Sequence, residues 1–180
     1  MKKSIFGFFL ALILIQACNK DGAQIPNCYN CNFTCLEINE TDAITNNCIN
    51  NWECLFKVTS MSKVDVSDNQ GLSNGDKIVF QMINSNQGEL VLADAQITNI
   101  LVFQIDESQN SFSVNDNELE EMQTHFRRKC FCVESEFKAI TSGCMQGEKQ
   151  SDGTWFVQGN LIVPYSNINA EVKFDAQFVN

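Results

Sequence analysis

From Ala170 to Phe178 the chain alternates without a break: Ala170, Val172, Phe174, Ala176 and Phe178 are apolar, and Glu171, Lys173, Asp175 and Gln177 are polar. Successive side chains of a strand point to opposite faces, so this pattern predicts a half-buried antiparallel strand with its even positions inward. Two further β-like runs precede it, Ser135–Lys149 and Thr154–Pro164, joined through the turn sequence Ser151-Asp152-Gly153. The three runs together read as a meander. Gly159 inside the middle run predicts a bulge, and Pro164 belongs at a strand end or an edge because it lacks a ladder donor. Earlier strands are predicted at Cys54–Ser67, Lys77–Asn84, Glu89–Ala93 and Ile97–Asp106, with Gly71–Asp76 as a loop. Ile100-Leu101-Val102-Phe103 is apolar on both faces and predicts a central strand.

A helical period appears once. Leu119, Met122 and Phe126 share a face, the acids Glu118, Glu120 and Glu121 fall in the first turn, and Arg127-Arg128-Lys129 close the segment. That order of charge complements a helix dipole, so the basic triplet reads as a helix end rather than an anion site. About seven strands, one short helix and no internal repeat predict a mainly β chain, either an antiparallel β-sandwich or a small β-barrel. A chain of 180 residues suits a single domain, expected over residues 28–180.

The first residues carry a different signal. Lys2 and Lys3 precede an apolar run from Ile5 to Ile15, followed by Gln16, Ala17 and Cys18, the order of an export signal. The run is too short to cross a bilayer, which takes about 20 apolar residues. Ile15-Gln16-Ala17-Cys18 resembles the lipobox of bacterial lipoproteins, Gln16 departing from the usual small or apolar residue. The resemblance implies a signal peptide over residues 1–17, cleavage before Cys18, diacylglycerol on the Cys18 thiol and fatty acylation of its amine. Two or more acyl chains hold a protein stably to a membrane that it does not cross. Residues 18–27 then form a tether reaching roughly 30 Å. Cys18-Asn19-Lys20-Asp21 is also similar to the start of the surface-export signal of Bacteroidota lipoproteins. The implied address is the bacterial cell envelope, on the periplasmic or the outer face of the outer membrane.

Nine cysteines is an odd number for an exported chain. Assigning Cys18 to lipid leaves Cys28, Cys31, Cys35, Cys48, Cys54, Cys130, Cys132 and Cys144, which can all pair in an oxidising compartment. Five lie before residue 55 and three after residue 129, so complete pairing requires at least one bridge between the groups. Such a bridge closes a loop of at least roughly 76 residues, worth about 4.5 kcal/mol in the chain-entropy picture. The expectation is a disulfide-rich N-terminal lobe stapled to the β-domain. The rival reading is chemistry at Cys28-Tyr29-Asn30-Cys31, redox or, with Cys35, metal binding. No βαβ pattern surrounds it, and His125 is the sole histidine.

Composition narrows the partners. Twelve Lys+Arg against 22 Asp+Glu give a formal charge of −10, which argues against nucleic acid. A triad would have to be built on His125, and no nucleophile elbow, zinc-protease or phosphate-loop motif occurs, so no metal and no cofactor is expected. Asp65-Val66-Ser67-Asp68-Asn69-Gln70-Gly71 gathers oxygen atoms but misses the spacing of a calcium loop, and reads as an acidic connection. Glu134 and Glu136 share a strand face, as a glycosidase pair would. Trp155 and Tyr165 are either platforms for a glycan or caps on one end of the fold. These features favour a non-catalytic binding or assembly domain with a protein or glycan partner. Two rivals stand beside it: a barrel carrying a small apolar molecule in a cavity lined by Phe80, Phe103 or Phe174, and an enzyme, hydrolase or thiol oxidoreductase.

Overall fold

The computed structural model describes residues 52–86, 97–130, 135–164 and 169–180. The strands are β1 (Trp52–Val64), β2 (Leu72–Asn74), β3 (Lys77–Asn86), β4 (Thr98–Asp106), β5 (Ser111–Asn115), β6 (His125–Lys129), β7 (Lys138–Ala139), β8 (Gly143–Lys149), β9 (Trp155–Pro164) and β10 (Asn169–Phe178), with helix α1 (Glu118–Glu121) between β5 and β6. They form a six-stranded sheet in the order β2-β1-β3-β4-β6-β7 and a four-stranded sheet in the order β10-β9-β8-β5. Neighbouring strands in both are antiparallel. The chain is thus mainly β, a curled half-barrel with a second sheet.

Register follows from the alternation. In β10 every even residue from Ala170 to Phe178 is buried, as expected, opposite the inward residues of β9. The β8-β9-β10 meander forms and Pro164 ends β9, but of the expected run Ser135–Lys149 only Gly143–Lys149 belongs to it, because Lys138–Ala139 pairs with β6 in the other sheet. Asn99 to Phe103 in β4 are all buried, because β4 is central and both of its faces are covered. Inward, Leu101 and Phe103 enter the main core. Outward, Val102 and the Phe137 ring both close on Gly71, forming a thin second layer.

The main core is aromatic. Phe80 and Phe103 stack with centroids 4.6 Å apart, and Trp155, Phe178 and Phe112 each meet Phe80 edge-on at 5.2, 5.5 and 6.0 Å. Edge-to-face pairs set the positive rim of one ring against the negative face of another, about 0.5–1.5 kcal/mol beyond simple burial. One margin of the two sheets is closed by the C-terminus: Val58 donates its N–H to Val179 O at 2.7 Å, and Val179 donates to Phe56 O at 3.2 Å.

Three expectations are corrected. The helix is limited to Glu118–Glu121, and Arg127-Arg128-Lys129 lie on strand β6, not at a helix end. Gln123 takes a φ of 50°, which breaks the helix, and Phe126 then packs fully buried beside Leu101. Gly159 makes no bulge, since its register with β8 and β10 is unbroken. Its bare Cα admits the Phe174 ring, an atom of which would lie 2.3 Å from any Cβ there. The Gly71–Asp76 segment contains the short strand β2, and β5 and β6 were not expected as strands. The real bulge lies in β1 between Thr59 and Ser62, where Met61 has a φ of 52°. The run Glu89–Ala93 lies outside the described residues.

Candidate functional site

Strands β4 and β5 are joined by the turn Glu107–Asn110 but belong to different sheets. They diverge from that turn, and a cleft of about 290 Å³ opens between them. Gln104, Ile105 and Asp106 line it from β4, Gln109 from the turn, Phe112 and Val114 from β5, and Glu118, Glu121 and Met122 from α1 and its end; Lys77 reaches in from β3. The floor is rigid because Phe112 is anchored against Phe80, Phe103 and Trp155.

The rim is polar and mostly acidic. Lys77 donates to Asp106, and that bond holds the ammonium above its ordinary value. Glu118 Oε2 accepts the backbone N–H of Asn115 at 2.9 Å, and Asp106 N–H donates to Gln109 Oε1 at 2.9 Å. Among the described residues no group of three or more His, Cys, Asp or Glu is placed to hold a metal ion.

A polar row crosses the inner face at the other end of the larger sheet. Cys54 pairs with Asn84, Asn84 with Asn99, and Asn99 with Arg128. Arg128 Nε donates to Asn99 Oδ1 at 3.0 Å, while Asn84 Oδ1 is buried with no hydrogen-bond partner among the described residues. An orphaned acceptor of this kind costs about 1–3 kcal/mol. Sequence reasoning missed this row because its members stand on four separate strands.

The residues singled out in the sequence fall elsewhere. His125 is half-buried on β6 with Nδ1 2.8 Å from Gln123 O. Arg127 Nε donates to Ser135 O at 2.6 Å, and its guanidinium sits 5.5 Å from the centroid of the Phe137 ring. In the Asp65 loop, Asp65 Oδ1 accepts from Ser67 Oγ at 2.5 Å and from Ser67 N–H at 3.0 Å, bonds that lower its carboxyl below the ordinary value. Those bonds make it a turn. Trp155 is only 1% exposed and therefore belongs to the core rather than to a glycan platform. Glu136 is exposed; Glu134, Tyr165, Cys132 and every cysteine from Cys18 to Cys48 lie outside the described residues. Cys54, Cys130 and Cys144 are each disulfide-bonded.

Comparison of the chain with protein-family models, with curated proteins and with solved structures finds no match.

Proposed function

We propose that this chain is a lipid-anchored lipoprotein of the bacterial envelope whose β-domain binds a partner without catalysing a reaction. The reading joins two things. The N-terminal Lys2-Lys3, the apolar run and Ile15-Gln16-Ala17-Cys18 supply the export and anchoring address. The observation that carries the binding role is the filled aromatic interior: Phe80, Phe103 and Phe178 pack ring against ring where a carrier would hold its cargo. Phe174, the third residue expected to line such a cavity, is 4% exposed and also packs on Phe178. The two arginines of β6 are engaged within the fold, Arg127 with Ser135 O and Arg128 with Asn99 Oδ1. Contact with a partner then falls to the rim and cleft.

In this reading the cysteine-rich segment from Cys28 to Cys48 is stapled to the β-domain by disulfides, and residues 18–27 hold the domain off the bilayer. The test is the mass of the protein released intact from its native membrane, measured first under native conditions and then after denaturation. The expected result is a diacylglyceryl and acyl increment on the Cys18 peptide and no small molecule retained by the native chain. An unmodified Cys18, or a native excess of a few hundred daltons that denaturation removes, overturns the anchoring or the binding half respectively.

A further inference from the structure

Strand β5 ends the four-stranded sheet and has a strand partner on one side only among the described residues. Backbone groups of an antiparallel strand point alternately to its two neighbours. Asn110 O accepts from Lys149 N–H and Asp116 N–H donates to Gly143 O, both at 2.8 Å, so the even positions face β8. The odd positions, Ser111, Ser113 and Asn115, face the opposite way, along the cleft. Asn115 confirms the direction, since its N–H is taken by the Glu118 carboxylate rather than by β8. Ser111 and Ser113 are both exposed.

We propose that the cleft docks an extended, lysine- or arginine-bearing segment of a partner protein, which adds a strand to the odd-numbered edge of β5. This rests on the binding reading above and names the partner's chemistry. Strand addition needs unpaired backbone groups for affinity and side-chain pockets for specificity; among the described residues Ser111 and Ser113 on the open side of β5 offer the first and the cleft the second. The cleft, at about 290 Å³, lies just below the ~300–1,000 Å³ usual for small-molecule sites and suits a single long side chain. Its lining fits a cation on an apolar stem. Ile105, Phe112, Val114 and Met122 offer the methylene groups a surface, and the carboxylates of Asp106, Glu118 and Glu121 outnumber the one ammonium, that of Lys77. Long basic side chains bury their stems in this way while the charged head stays near water.

The test uses the purified full chain and a short synthetic peptide alternating lysine with valine, beside a counterpart with glutamate in place of lysine. Amide hydrogen exchange read residue by residue should slow at Ser111 and Ser113 on adding the lysine peptide and stay unchanged with the glutamate peptide. Glu121→Gln should weaken the lysine peptide about three- to five-fold, the effect of one solvent-facing charge pair. Ser113→Pro removes the donor that faces the cleft and leaves the β8 ladder intact, so it should abolish protection at Ser111. Absence of protection at these two amides, equal protection by both peptides, or indifference to Glu121→Gln overturns the proposal. These outcomes are separate from those of the native mass measurement: a retained small molecule would defeat the binding reading whatever the peptides do.

Discussion

At the scale of single residues, the fold turns on places where a missing or unusual side chain is required. Gly159 is one, because the Phe174 ring occupies the space a Cβ would take. Gly159→Val should therefore lower stability by about 1–3 kcal/mol, the usual cost of overpacking. Phe174→Leu combined with it should recover part of the loss, and denaturant titration of the single and double variants measures both. Strictly additive losses would show that the two positions do not compete for the same space. Gly153 offers the contrast: nothing lies within 4 Å of its Cβ position, and only its φ of 86° favours glycine. The even side chains of β10 were readable in advance because burial there depends on local alternation alone. Gly159 was misread for the opposite reason, since what fixes it is a ring on the neighbouring strand.

At the scale of elements, the β8–β9 hairpin is held by its own turn. Asp152 Oδ1 accepts from Thr154 Oγ1 at 2.7 Å and from Thr154 N–H at 3.0 Å. The hydroxyl bond is the larger cause of a carboxyl held below its ordinary value of 3.8. A carboxyl lowered on folding adds stability that is present above its unfolded value and is lost as pH falls below 3.8 through the lower folded value. Thr154→Val removes the hydroxyl and keeps the N–H. The titration of Asp152, followed by its side-chain carboxyl resonance, should then move upward towards 3.8, whereas an unchanged midpoint would contradict the assignment. Other elements show where local reading fails. The segment from Leu119 to Phe126 carries a helical spacing of apolar residues, but α1 ends at Glu121. Phe126 and His125 instead follow strand alternation, with Phe126 inward and His125 half-exposed. Spacing alone did not separate these periods over so few residues; the pairing of β6 with β4 decides the matter, and it is a tertiary contact. The central strand posed no such difficulty, because four consecutive apolar residues predict burial on both faces whatever their neighbours.

At the scale of the whole molecule, the mainly β class and the meander were legible, while the cleft was not. Gln104, Gln109, Glu118 and Glu121 are unremarkable polar residues in the chain, and they become a site only because β4 and β5 part into different sheets. The proposed anchoring signal has the reverse character, being a local pattern confined to the first eighteen residues. The two fit one picture. In the proposed reading the chain, of net charge −10, is repelled by anionic headgroups, and a tether of roughly 30 Å would leave the cleft free to meet a basic partner in solution or on a neighbouring surface.

The measurement that tests this picture most directly is site-specific photo-crosslinking in intact cells of the native host, with the photoreactive side chain placed in turn at Ser113, on the open edge of β5, and at Gln177, on the exposed face of β10. The account predicts a defined crosslinked species from Ser113 that Glu121→Gln diminishes, and none from Gln177. Crosslinking from Gln177 alone, or from both positions alike and unaffected by Glu121→Gln, would contradict it.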